Sequence, residues 1–183
     1  MNGCSLKVEI AVVLLLIAVR IGGLYPGAMS IYILVFLIGV VAGLRAMTPL
    51  AVTSWAASLG WLNLQDTWLA FFGFAYTPYI LSILAIGELI VDKLPATPSR
   101  KLPMPFVARI AVGAICGGAI GFAGGSLLVS LVAGMIGALV GTLGGAELRS
   151  RLTRANGGKD FPVALLEDAI AIGGAILILS SAT

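Results

Sequence analysis

Gly39-Val40-Val41-Ala42-Gly43-Leu44-Arg45-Ala46-Met47-Thr48-Pro49-Leu50 sets one arginine inside sequence apolar enough to enter a bilayer. Arg45 is the only charged residue between Arg20 and Asp66. An ionised guanidinium at bilayer depth costs at least ~2.5–3.5 kcal/mol on insertion scales, so such a residue is a functional candidate by default. The apolar stretch from Ile31 to about Leu62 is too long for one simple span and too short for two. Thr48-Pro49 supplies a break, because proline lacks a backbone donor and clashes with the preceding turn. The segment therefore predicts a broken or strongly tilted helix near Thr48-Pro49. Irregular backbone survives at membrane depth only where it faces protein or a wet cavity.

The rest of the chain has the same character. Of its 183 residues, 60% are hydrophobic and 10% charged, with a mean hydropathy of +1.10. A soluble domain carries about 25% charged residues, so lipid must solvate most of this surface. The expected fold class is all-α, a polytopic transmembrane helix bundle of roughly five spans. The net charge of +3 comes from basic residues in short loops between apolar runs, a topology signal of an inner-membrane protein and no sign of nucleic-acid binding.

Working outward, Trp55, Trp61 and Trp68 surround the polar turn Asn63–Thr67, as in an interfacial belt. The second expected span covers about Trp68–Val91, with a kink at Pro78. The third covers about Phe106–Ala123 and the fourth about Leu127–Gly145, joined by the tight hairpin Gly124-Gly125-Ser126. The last runs from about Pro162 to Leu179. The loops 93–109 and 146–160 hold most of the Lys and Arg, which places both in the cytoplasm of a bacterium with the protein in its inner membrane. Residues 29–183 read as one transmembrane domain. Residues 1–28 read as an N-terminal extension: an extra or partial span, or a mis-assigned start. In it Lys7 and Arg20 flank the apolar run Ile10–Val19.

The chain has no histidine and two cysteines, Cys4 and Cys116. Histidine base or ligand chemistry is thereby excluded. A disulfide is not expected, nor is a resident metal or cofactor.

Glycines recur every fourth residue: Gly113, Gly117, Gly121 and Gly125; Gly137, Gly141 and Gly145; and the pair Gly39 and Gly43. Small faces let membrane helices approach closely. They predict packing of the third span against the fourth, with self-association into a homo-oligomer as the functional alternative. Glu88 and Asp92 are four apart, hence on one helix face, and lie at a C-terminal end where the helix dipole disfavours anions. Glu167 and Asp168 lie near the start of the last span. These four carboxylates, with Thr48 and one or more of Arg45, Arg109 and Arg149, predict a polar cluster toward the cytoplasmic side. Each member also has a plainer reading, as a dipole complement, a headgroup pair or a snorkelling arginine.

The run Gly39 to Leu50, Trp55-Ala56-Ala57, Glu88 to Arg100, Gly141 to Gly145, and Glu167-Asp168-Ala169 with Gly173-Gly174 resembles an uncharacterised family of small bacterial inner-membrane proteins. The family is known only as a domain of unknown function. The resemblance covers about residues 29–183 and implies a polytopic membrane protein, with no activity or site attached. A weak internal repeat is also visible: Gly39-x-x-x-Gly43 then Arg45 echoes Gly137-x-x-x-Gly141 then Arg149.

Three functions fit these residues. The first is a transporter or channel for a small ion or anionic solute, with Arg45 as counter-ion and carboxylates as proton or cation sites. The second is a Mg²⁺-dependent lipid-phosphate enzyme, because Glu88-x-x-x-Asp92 and Gly43-Leu44-Arg45-x-x-Thr48 superficially resemble motifs of lipid pyrophosphate phosphatases. The third is a structural or assembly subunit of a larger membrane complex.

Overall fold

The computed structural model describes residues 28–93, 103–124, 126–158 and 160–182. Residues 1–27 of the proposed extension and 94–102 of the basic loop at 93–109 lie outside them, and 103–109 are helical. The described residues form α1 (Ala28–Leu44), α2 (Met47–Ser58), a 3-10 turn (Ala70–Gly73), α3 (Thr77–Val91), α4 (Pro103–Gly124), α5 (Leu127–Ala155) and α6 (Asp160–Ser181). The fold is all-helical, and α4, α5 and α6 are long and apolar enough to cross a membrane. Large apolar side chains such as Ile83, Val107, Leu128 and Phe161 are exposed. That inverts the surface of a soluble protein and marks an integral membrane protein.

The centre is a three-helix contact of α1, α4 and α5, made possible by glycine. On α5, Gly137 and Gly141 lie against the backbone of Phe36 and Val40 of α1, and Gly145 lies against the Leu44 side chain. Gly39 and Gly43 face Gly134 and Ala138 in return. On α4, Gly113 and Gly117 meet Gly134 and Ser130 of α5, and Gly121 meets the Ser130 side chain. A Cβ at any of these positions would fall inside van der Waals contact. The third and fourth spans do pack together as predicted, but one face of α5 serves α4 while another serves α1. The glycine faces are thus filled by helices of the same chain. The two repeat-like segments lie side by side on the parallel helices α1 and α5.

The helix is broken beside Thr48-Pro49 as expected, but the kind of break differs. Helix α1 ends at Leu44, and Arg45 and Ala46 lie between the helices. Pro49 is the third residue of α2, where its missing N–H would have no helical partner anyway. Arg109 reaches Gly43 and Val35 meets Gly117, so α1 and α4 are antiparallel. Met47 meets Glu88 while the Trp55 indole donates to the Ser82 hydroxyl at 3.0 Å, so α2 is antiparallel to α3. Ala46 and Leu62 belong with α4 and α6 residues to one core cluster. The chain therefore reverses at Arg45–Ala46, and α1 and α2 are two arms rather than one tilted span.

Two further boundaries move. Residues 68–76 do not extend the second span; they form the 3-10 turn and its flanks, which seat Leu69 and Phe72 in the core. Pro78 is in the first turn of α3 and makes no kink. Helix α5 continues past Gly145 to Ala155, so Arg149, Arg151 and Arg154 are helical rather than in a loop. The Arg151–Glu147 pair and the Arg154 bond to the Ser150 carbonyl span single turns and support that extension.

Candidate functional site

A helix that stops leaves its last carbonyls without partners, and one that starts leaves its first N–H groups bare. Both kinds of end meet at the reversal. Nearest to α1, Arg109 of α4 donates through Nη1 to the carbonyls of Gly43 and Leu44, at 2.8 and 2.6 Å. Thr142 of α5 adds its hydroxyl to Gly43 at 3.2 Å. A cation thus sits at the negative end of the α1 dipole. At the start of α2 the N-cap position is Ala46, which has no side-chain acceptor. Glu88 of α3 supplies one, taking the N–H groups of Ala46 and Met47 at 2.9 and 2.8 Å. An anion thus sits at the positive end of the α2 dipole.

Arg45 lies between these ends with 0% exposure. Its Nη1 bonds the Asp92 carboxylate of α3, and its Nη2 lies 2.5 Å from Asp168 Oδ1 of α6. Lys93 approaches the other Asp168 oxygen at 2.7 Å. Arg109 completes the set, with Nη2 3.8 Å from Glu88 and 3.9 Å from Asp92. Three cations, Arg45, Lys93 and Arg109, therefore face three carboxylates, Glu88, Asp92 and Asp168. Charges taken from water are tolerated when paired in this way.

The pairing is close without being fully aligned. Arg45 Nε and Nη2, both Asp168 oxygens and the Thr48 hydroxyl are buried and make no hydrogen bond of good geometry. Arg45 and Asp168 therefore attract as charges, and Lys93 occupies the second Asp168 oxygen. Thr48, at 3% exposure, is buried in the second position of α2, directly beside the reversal.

The structure thus brings together Arg45, Glu88, Asp92, Arg109 and Asp168, all named from sequence. It separates Glu167, which lies 3.4 Å from Arg149 in a second group with Asp160. Successive helical residues point ~100° apart at 3.6 residues per turn, so Glu167 and Asp168 serve different clusters. Lys93 and Thr142 were not singled out as site residues. Lys93 is adjacent to Asp92 but pairs with the next carboxylate partner of Arg45, which only the fold reveals. The Gly145 level of α5 is about 27 Å from Leu127 at 1.5 Å rise per residue, so the cluster lies nearer the α5–α6 connection than the start of α5.

Glu88 and Asp92 are thus engaged with amides and guanidinium groups. Among the described residues no group of three or more Cys, Asp or Glu side chains is arranged to hold a metal ion.

A family model described as a domain of unknown function (DUF4126) matches residues 32–182. No curated protein and no solved structure matches the chain.

Proposed function

The chain belongs to the DUF4126 family, whose function is unknown, so its activity must be read from its own residues, and we propose that it is a small ion or solute transporter gated by the charge cluster at the α1–α2 reversal. The observation that carries this reading is the buried Arg45–Asp168 pair. Charged groups inside membrane proteins mark ion paths and proton relays. Here the pair is enclosed at a discontinuous helix, with Asp92 and Lys93 as alternative partners within reach. Arrival of a small ion at the pair would exchange one partner for another. Because Glu88 and Arg109 hold the adjoining helix ends, such an exchange would be felt by α1, α2, α3 and α4 together.

The basic residues support an orientation. Lys93, Arg109, Arg149, Arg151 and Arg154 gather at the same end of the bundle, which we assign to the cytoplasmic side of a bacterial inner membrane. Any self-association would use the exposed apolar faces, since the glycines of the α1–α4–α5 contact are covered internally. A lipid-phosphate enzyme gains less support, because Arg45 is buried against Asp92 and Asp168, where a bulky headgroup is excluded more strongly than a small ion.

A specific observation also favours a structural reading. The network has as many cations as carboxylates, and two of its members cap helix ends. It would then be a lock on the reversal, in a subunit that serves a larger assembly.

Flux in proteoliposomes separates the two. Protein reconstituted with an internal pH dye is challenged with a potassium diffusion potential, and sodium and chloride uptake are followed in parallel. The transport reading expects movement of at least one of these ions above empty vesicles, lost in Arg45→Ala and in Asp168→Asn. Folded protein that moves none of them, or robust flux untouched by both substitutions, removes it.

A further inference from the structure

Away from the reversal, α6 stands off from α1 and α5 and leaves a groove of about 370 Å³. Its walls are hydrocarbon: Val41 and Leu44 from α1, Val140 and Leu148 from α5, and Leu166 and Ile170 from α6. Gly141, Gly144 and Gly145 leave the α5 side of the groove without side-chain bulk. From Val140 to Leu152 the α5 wall is about 18 Å long at 1.5 Å rise per residue. The charged lining residues are Arg149 and Glu167, both toward the end nearest the α5–α6 connection.

We propose that this groove binds one acyl chain of a bilayer phospholipid, its glycerol end lying toward Arg149. The argument rests on continuity and polarity. The groove opens onto the lipid-facing surface, since Val140 and Leu148 in its wall are 51% and 40% exposed, with Leu143 and Leu165 exposed beside them. All three helices that form it are apolar, and α5 and α6 are long enough to span. A void at that depth forfeits dispersion contacts along its whole lining, and hydrocarbon rather than water restores them. The charged edge has the opposite character. Arg149 holds Asp160 through Nε and Nη2 at 2.9 and 2.6 Å, so a fixed guanidinium stands where the polar part of the lipid would lie. Glu167, 3.4 Å from the same guanidinium, makes this edge polar and paired rather than a bare cation, which suits the glycerol and ester region of a lipid. The site is independent of the transport reading.

Gly144 provides the test. It lines the groove, and a Cβ added there meets nothing within 4 Å, so a larger side chain can enter at that wall without backbone displacement. Gly173 on α6 has equally open space but does not line the groove, and Gly173→Leu is the matched control. Protein is reconstituted in vesicles of palmitoyl-oleoyl phosphatidylglycerol and phosphatidylcholine, extracted into mild detergent, and weighed by native mass spectrometry. The expectation is phospholipid retained at one per chain in the unaltered protein and in Gly173→Leu, and lost in Gly144→Leu. A second filling variant, Val140→Phe, narrows the same groove from its rim and should also lose lipid. Retention unchanged in the folded filling variants overturns the proposal, as does absence of any retained lipid from the unaltered protein.

Discussion

Glu88 caps Met47 from another helix: its carboxylate accepts the Met47 N–H at 2.8 Å and the neighbouring Ala46 N–H at 2.9 Å. The reversal of the chain at Arg45–Ala46 therefore contains no glycine and no local capping side chain. Its ends are satisfied by residues that arrive later in sequence.

Replacing Glu88 with Ala should expose that dependence. Two buried N–H groups lose their acceptor, at roughly 1–3 kcal/mol for each unsatisfied group, while Glu88→Gln keeps a carbonyl oxygen and costs less. Hydrogen exchange is the direct measure. The amides of Ala46 and Met47 should exchange faster in Glu88→Ala than those of α4 or α5, whose bonds are untouched. Uniformly faster exchange would mean that the carboxylate has no local capping role.

Arg45 should be the costliest side chain to truncate. Arg45→Ala leaves Asp92 and Asp168 buried without their shared cation, and removing one partner of a buried pair typically costs about 3–5 kcal/mol. Arg45→Lys restores the charge but not the fork that reaches two carboxylates, so its stability should fall between the two. Thermal unfolding in detergent ranks the three proteins.

Glycine substitutions should divide sharply by position. Gly141→Val drives a side chain into the Val40 backbone of α1, and overpacking of this kind costs about 1–3 kcal/mol or more. Gly144, one turn fraction away on the same helix, faces open space, so Gly144→Ala should change stability by no more than about 0.5 kcal/mol. The yield of monodisperse protein and its unfolding temperature report both.

The second ion-pair group should matter less. Arg149 makes its short contacts with Asp160, whose side chain is 50% exposed, and a longer one of 3.4 Å with Glu167. Such pairs contribute about 0–1 kcal/mol. Arg149→Gln should accordingly leave the unfolding temperature near that of the parent, in contrast to Arg45→Ala.

How far the sequence carried the account depends on the residue. Arg45, Glu88, Asp92, Arg109 and Asp168 were legible because a charge in apolar sequence is expensive and must find a partner. The glycine faces were legible from their spacing of four. The reversal was not, because Pro49 looks like a helix breaker in sequence, whereas the real break is closed by Glu88 and Arg109 across the fold. Residues 68–76 read as span because they are aromatic and apolar, and a short 3-10 turn buries Leu69 and Phe72 just as well. Glu167 and Asp168 read as one site because they are adjacent, although the helical turn sends them to different partners.

The central claim is that the Arg45–Asp168 pair is a working site and not only a fastening. Asp168→Asn keeps the size of the side chain and one acceptor oxygen and removes its charge, so it alters ion chemistry with the least change of shape. Ion flux into proteoliposomes is measured for the parent and for Asp168→Asn, each first shown to be monodisperse. The account predicts flux above protein-free vesicles for the parent and flux at the protein-free level for Asp168→Asn. Equal flux from the two proteins, or none from the folded parent, would contradict it.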